Sequence, residues 1–262
     1  MPIITLLTDF GLKNGFTGVL KGVIWGIAPE VQIADITHEI NPQNIMEGAI
    51  ALWRAAAFFP AGTIHVAVVD PGVGTSRRPI AAKIDNQYFI GPDNGIFTPL
   101  MQQAESKGLE INIYQLDNPE YWLPEVSQTF HGRDIFSPVA AHLAAGVPLE
   151  KMGTQVYDPV RLAMPQPIRI EHGWRGEVVL IDVFGNIATN LGADLVREQQ
   201  NVTLHIAGNT IQGLVKSYGE RLPGDVVALV DSENFLEVAV VNGNGAQKLK
   251  VAVGDPVELV YS

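Results

Sequence analysis

The chain has no cysteine, few charges and no long apolar run. Without cysteine there is no disulfide framework, no thiolate-held zinc or iron–sulfur cluster and no thiol nucleophile. Basic residues are scarce: 17 Lys and Arg stand against 28 Asp and Glu, a net charge of −11 over 262 residues. Nucleic-acid binding needs clustered positive charge, and the densest basic pair is Arg77-Arg78, so no nucleic-acid partner is expected. No apolar stretch approaches the ~20 residues that span a bilayer, and Met1-Pro2 leads straight into a strand-like run with no charged leader. His38, His65, His142, His172 and His205 show no metal-ligand spacing. What is present is 47% hydrophobic residues with only 17% charged. That composition describes a globular protein, expected in the cytoplasm, of one large or two unequal domains at ~100–200 residues each.

The N-terminal part alternates strand and helix signals. Ile3–Thr8, Val31–Thr37 and Thr63–Val69 read as strands, the last almost continuously apolar, as a strand buried on both faces must be. Phe16–Ala28 and Gln43–Phe59 read as helices; the second repeats apolar residues near a 3.6 period and ends at Pro60-Ala61-Gly62. Ile80–Ile84 and Gln87–Ile90 form a hairpin pattern around Asp85-Asn86. Gly95–Ser106 and Ile135–Ala145 read as helices with Ile111–Gln115 as a strand between them. Beyond residue 150 the helix signal nearly vanishes. Short strand patterns at Glu177–Val183, Val202–Ile206, Val226–Val230, Phe235–Val241 and Val257–Val260 alternate with turns such as Gly208-Asn209 and Asn242-Gly243-Asn244-Gly245. The expectation is an N-terminal α/β domain with a mainly parallel sheet (residues 1–160), a linker (161–174) holding Pro165 and Pro167, and a small C-terminal all-β barrel domain (175–262).

Four segments place polar groups where strands end, the usual ligand position of parallel sheets. Asp9, in Thr8-Asp9-Phe10-Gly11, suits ribose hydroxyls, a metal or a turn cap. Asp70-Pro71-Gly72-Val73-Gly74-Thr75-Ser76-Arg77-Arg78 follows a buried strand, yet it is neither a phosphate loop nor a dinucleotide fingerprint. It reads equally as an ordinary turn with a surface arginine pair. Phe130-His131-Gly132-Arg133-Asp134 crowds polar residues at a helix start, where backbone N–H groups favour anions, or where Arg133 and Asp134 simply pair. Asp182-Val183-Phe184-Gly185-Asn186 is either a bulge and turn or an adenine platform of stacking Phe and pairing Asn.

Together, and in this order, these segments resemble the S-adenosylmethionine hydroxide adenosyltransferases, hydrolytic relatives of the fluorinase and chlorinase. Lys21-Gly22, Gly91-Pro92-Asp93-Asn94-Gly95 and the Phe235–Ala239 strand extend the resemblance over essentially the whole chain. It implies hydrolysis of S-adenosyl-L-methionine to adenosine and L-methionine, with no cofactor and no metal. It also implies a homotrimer whose sites lie between the first domain of one subunit and the second of its neighbour. The family's Asp–Arg–His set falls on Asp70, Arg77 and His131. Asp9 takes the ribose hydroxyls, Asn186 the adenine edge with Phe184 beside the base, and Asp182 and Ser232 the methionine amino and carboxylate groups. Phe130 and Asn14 complete the substrate contacts. Asn14 stands where an Asp is common, and Gln43 where the fluorinase has a Trp over the ribose.

A sulfonium already leaves well, so the demand falls on the nucleophile. Bulk water has a pKa of about 15.7. Arg77 would stabilise developing hydroxide, His131 would accept the proton, and Asp70 would orient one or the other. Three other readings share these residues: a halogenase, a non-catalytic S-adenosylmethionine or adenosine sensor, and a metal-dependent hydrolase built on Asp9, Asp70, Asp93 and Asp134.

Overall fold

In the computed structural model, which describes residues 1–199 and 201–261, the chain folds as two units, Met1–Met164 and Pro165 onward. The first carries seven strands: β1 (Ile3–Thr8), β2 (Gln32–Thr37), β3 (Ile64–Val68), β4 (Pro79–Ile84), β5 (Gln87–Pro92), β6 (Ile111–Gln115) and β7 (Gln155–Val156). They form one sheet in the order β2-β1-β3-β5-β4-β6-β7. The half made of β2, β1, β3 and β5 is parallel; β4, β6 and β7 add to it antiparallel. The α/β unit is therefore mixed, and its parallel half carries the residues of interest.

Helices α1 (Phe16–Ile27), α2 (Ile45–Ala56), α3 (Thr98–Ser106) and α4 (Ser137–Ala144) cover both faces. In β1, Ile4 and Leu6 face a core shared with Leu20, Val66 and Phe136, while Leu7 faces one shared with Leu52, Ala67 and Phe89. Both faces of the strand are thus dry, which is why the central strands read as unbroken apolar runs. Asn44 caps α2 by accepting from the Glu47 N–H at 3.1 Å. The last helix starts differently from expectation. Residues Gly132–Phe136 make a widened π-type turn before α4. Pro138 has no N–H to return to Asp134, whose carbonyl instead accepts from the Leu123 N–H at 2.9 Å.

The second unit holds β8 (Ile168–Ile170), β9 (Gly173–Ile181), β10 (Ile187–Gly192), β11 (Thr203–Ile206), β12 (Asn209–Gln212), β13 (Val226–Val230), β14 (Phe235–Val240), β15 (Pro256–Val260) and a short helix α5 (Gly245–Leu249). The strands run β12-β11-β15-β9-β10-β14-β13, all antiparallel, with β8 against β9. Val215, just past β12, donates its N–H to the Ala228 carbonyl of β13 at 2.9 Å, which nearly closes the sheet into a barrel. β8 and the start of β9 occupy residues expected as linker. Three further strands fall where no strand was expected: β7 in the first unit, β10 directly after the Asp182–Asn186 segment, and β12 beginning within the Gly208-Asn209 turn signal. The Asn242–Gly245 turn signal ends in a helix because the Asn244 side chain accepts from the Gln247 N–H at 2.8 Å and caps α5. Among the described residues, no helix is long and apolar enough to cross a membrane.

One buried polar pair ties β1 to β3. His65 and Thr5 are fully buried, directly opposite each other in the register, with Thr5 Oγ1 2.7 Å from His65 Nδ1. The ring stacks on Phe89 at 4.9 Å. Burial pushes His65 down from 6.5 to about 4. The unfolded chain therefore binds the proton first, so stability present above pH 6.5 declines as pH falls and levels off near pH 4, a loss of about 3 kcal/mol at the limit. Denaturant titrations at pH 7 and 5 should show this decline, and His65→Leu should remove most of it; an unchanged pH dependence in that variant would exclude His65 as its source.

Candidate functional site

The chain leaves β1 for β2 on one side and returns through β3 on the other side of β1. The carboxyl ends of β1 and β3 therefore flank a switch point, where loops diverge and leave a crevice. Asp9 directly follows β1, and Asp70 lies two residues beyond β3. Both line a cavity of about 630 Å³, together with Phe16, Gln43, Phe130 and His131.

Asp70 and Arg77 stand at the two ends of one tight loop. Arg77 Nε donates to Asp70 Oδ1 at 2.9 Å and to Oδ2 at 3.0 Å, and Nη2 also donates to Oδ2. The side chains are only 10% and 5% exposed, so the pair is largely desolvated. Nη2 lies 2.9 Å from His131 Nδ1. A guanidinium only donates, so Nδ1 accepts and the neutral ring carries its hydrogen on Nε2. Burial and the neighbouring Arg77 charge lower the His131 pKa, outweighing Asp70, Asp134 and the Ser127 backbone. Nη1 of Arg77 is buried with no hydrogen-bond partner in the protein. A proton passing to Nδ1 of His131 would have to displace the Arg77 hydrogen bond.

The two segments meet too closely for side chains. At Gly74, φ is +76° and a Cβ would lie 2.3 Å from the Gln128 carbonyl oxygen. Only glycine lets the Asp70–Arg77 loop approach the strand-end loop that leads into His131. The expected Arg133–Asp134 pair also forms, at 2.5 Å. Asp134 is fully buried. Burial alone would raise its pKa, but the Arg133 guanidinium and the Ser127 N–H, at 2.8 Å from Oδ2, hold it below the usual range.

Asp9 accepts from the Gln43 backbone N–H at 2.8 Å. Gln43 adopts φ +66°, a left-handed conformation unusual for a residue with a side chain. That strain is stored beside the cavity, and no sequence pattern announced it. Phe10, Phe16 and Phe130 form a cluster of edge-on rings, with centroids 5.4–6.1 Å apart, on one side of the cavity. Asn14 does not join them; it is exposed in the turn between β1 and α1 and is not among the cavity-lining residues. Ser127 and Thr129 line the cavity without any sequence signal that marked them.

In the second unit, Asp182 organises its own loop. Oδ1 accepts from the Phe184 and Asn186 N–H groups at 2.9 and 2.8 Å, and Oδ2 from Asn186 Nδ2 at 3.0 Å. Gly185, at φ +83°, has no room for a Cβ, which would sit 2.2 Å from Asn244. The loop holds Val183 and Phe184 outward, 93% and 72% exposed. Ser232 is exposed in the turn between β13 and β14. Tyr218, not singled out in the sequence, donates to Glu237 at 2.7 Å. Burial raises its pKa, reinforced by Glu237, Asp182 and Asp231, so this part of the barrel is strongly anionic.

Among the described residues, no group of three or more His, Asp or Glu side chains is placed to hold a metal ion. Asp70, Asp93 and Asp134 are each paired with an arginine: Arg77, Arg78 and Arg133. What the first unit presents is a concave site lined by the Asp9 and Asp70 carboxylates and an aromatic wall, with the buried Arg77 cation bound to Asp70 and His131.

Comparison with known proteins places this site in a family. Residues 4–153 match the N-terminal domain and residues 176–258 the C-terminal domain of the SAM hydroxide adenosyltransferase family. An (R)-S-adenosyl-L-methionine hydrolase from Salinispora arenicola is 36% identical over 98% of this chain and 97% of its own length. One of the same name from Thermus thermophilus is 36% identical over 99% and 100%. A fluorinase from Actinoplanes is 31% identical over 72% of each chain. Among solved structures, an uncharacterized conserved protein from Thermotoga maritima superposes with a TM-score of 0.91, at 40% identity over 98% of this chain and 99% of that one. With both of its domains matched in order and full-length relatives above 30% identity, the chain belongs to the SAM hydroxide adenosyltransferase family.

Proposed function

We propose that this protein hydrolyses S-adenosyl-L-methionine, as the R sulfonium epimer named for its relatives, to adenosine and L-methionine. The observation that carries the reading is the Asp70–Arg77–His131 constellation, of which Asp70 and His131 line the switch-point cavity. Water adds to the ribose C5′ as the C5′–sulfonium bond breaks. The positive charge disappears into a neutral thioether, and one proton is released. The protein's work is to make a hydroxide-like oxygen available and aligned. Correct alignment alone supplies ~7–11 kcal/mol of the barrier.

Arg77 is held by Asp70 and His131 through Nε and Nη2, which leaves Nη1, buried and without a protein partner, as the donor that would reach that oxygen once substrate is bound. His131, neutral with its hydrogen on Nε2, lines the cavity and holds the Arg77 guanidinium in place through Nδ1. A fixed cationic donor lowers the cost of developing negative charge, the role of an oxyanion-type site. Asp9, its carboxylate steadied by the Gln43 N–H, takes ribose hydroxyls, and the Phe10–Phe16–Phe130 cluster supplies the apolar wall with Phe130 against substrate. From the second unit, Phe184 and Asn186 serve the adenine. Asp182, in its anionic surroundings, suits the methionine ammonium, with Ser232 for the carboxylate. Asn14, exposed in its turn, is retained as a contact made only with substrate bound. The full enzyme is a cytoplasmic homotrimer, with sites shared between neighbouring subunits. The reaction uses no metal, because three of the four carboxylates available for one are committed to arginines. The Asp70 carboxylate also disfavours a halide at the nucleophile position, which separates this reading from a halogenase.

Chromatography of protein incubated with S-adenosylmethionine should give adenosine and methionine in halide-free buffer, unaffected by chelator. A 5′-halogenated adenosine on adding chloride or fluoride would overturn the reading, and substrate bound but unconverted would leave a sensor. Arg77→Ala and His131→Ala should cut kcat by roughly 10²–10³ while calorimetry still shows S-adenosylmethionine binding. Asp70→Asn is the better probe of that carboxylate, since truncation strands a buried cation at a cost of ~3–5 kcal/mol.

The tautomer adds a pH test. Protonation of Nδ1 breaks the bond from Arg77 and sets two cations together, so activity falls as pH drops through the His131 value. Because that value is lowered, the acidic limb of kcat should centre below 6.5. A limb centred above 6.5, or nitrogen NMR showing the hydrogen on Nδ1, would contradict the assigned donor arrangement.

A further inference from the structure

The Gly91-Pro92-Asp93-Asn94-Gly95 turn lines no part of the cavity, yet it touches both ends of the loop that does the chemistry. The sheet order explains how. β5 lies between β3 and β4, parallel to one and antiparallel to the other. The loop from the end of β3 to the start of β4 must therefore pass over the carboxyl end of β5, and the residues that follow β5 sit beneath it.

At the near end, Asn94 Nδ2 donates to the Val69 carbonyl at 2.8 Å, one residue before Asp70. At the far end, the Asp93 N–H donates to the Arg78 carbonyl at 2.9 Å, one residue after Arg77. Asp93 Oδ2 accepts from Arg78 Nε at 2.8 Å. The turn has no slack. A Cβ on Gly91 would lie 2.3 Å from the Ala67 carbonyl oxygen, and Gly95, at φ +94°, packs against Leu162. The Asp93 side chain is 2% exposed. Its other oxygen accepts from the Val160 N–H at 2.8 Å, and Arg78 Nη1 reaches Asp158 at 2.8 Å. The strap of residues 158–162 is therefore registered against the same turn.

We propose that Asp93 and Asn94 are positioning residues that clamp both ends of the Asp70–Arg77 loop and so fix where the Arg77 guanidinium stands. The proposal rests on the reading that Asp70 and Arg77 prepare the attacking water. A loop of eight residues pinned at its first and last peptide units keeps its internal turn in register. Released at either end, it keeps the Asp70–Arg77 pair but carries it away from His131 and the substrate carbon. A displacement of ~1 Å costs on the order of 10²-fold in rate.

The test is Asn94→Asp, which preserves shape and the acceptor for the Ile96 N–H but cannot donate to Val69. Its kcat should fall at least tenfold with KM for S-adenosylmethionine within twofold. Thr98→Val, which removes only the acceptor of the Leu162 N–H on the strap, serves as the matched control and should leave kcat within twofold. In an Arg77→Ala background, Asn94→Asp should add less than twofold, because a clamp acting through Arg77 has nothing left to position. Arg78→Gln, at the far end of the loop, gives a second variant should Asn94→Asp fold poorly, with the same expected split of kcat from KM. Wild-type kcat in the Asn94→Asp or Arg78→Gln enzyme, or effects that multiply in the Arg77→Ala background, would overturn the clamp. A fully active Arg77→Ala enzyme would instead overturn the reading on which it rests.

Discussion

A permanently charged guanidinium cannot be left alone where water is scarce. Arg77 is almost fully buried, and Asp70 takes its Nε and one Nη2 hydrogen. Breaking such a pair from one side costs several kcal/mol, so the loop must keep both ends of itself in place. The second Nη2 hydrogen then fixes the tautomer of His131. One ion pair thus sets the shape of a loop, the protonation state of a neighbouring ring and the direction of the donors that remain. Set against a cation that only donates, the His131 ring accepts through Nδ1.

The ion pair is placed by sheet topology. The reversal of strand order at β1 and β3 opens the crevice, and the insertion of β5 between β3 and β4 puts a turn underneath the loop. Parallel strands buried on both faces make this floor rigid. Glycines enter where backbones must touch: Gly74 against Gln128, and Gly91 against Ala67. Gln43, without that freedom, is held left-handed by the same Asp9 carboxylate it helps to orient.

Much of this was legible in the chain itself. Strong periodicity gave the positions of β1, β3, β6, α1 and α2 to within a few residues, because strands with two dry faces and a capped amphipathic helix leave plain patterns. Asp9, Asp70 and His131 stood out because they follow strands or open a helix, and the structure brings Asp70, Arg77 and His131 into contact. Weak elements were not legible. β10 carries Thr189 and Asn190, whose side chains hydrogen-bond to Leu236 and Glu177, so its pattern is not apolar alternation. The π-type turn before α4 follows from Pro138 only once Leu123 is known to take the Asp134 carbonyl.

The sequence alone determined which chemistry was available: no thiol, no metal-ligand spacing, carboxylates at strand ends, and one arginine and one histidine near them. It determined the two-part architecture as well, since hydrophobic period and turn spacing are local properties of the chain. Tertiary structure decided which nitrogen of His131 holds the hydrogen, which oxygen of Asp9 is already occupied, and what the turn after β5 touches. Those depend on contacts between residues far apart in sequence, 54 positions for Arg77 and His131 and 67 for Asp93 and Val160. Side-chain hydrogen bonds exclude one another, and only the folded arrangement shows which donors and acceptors have already been used.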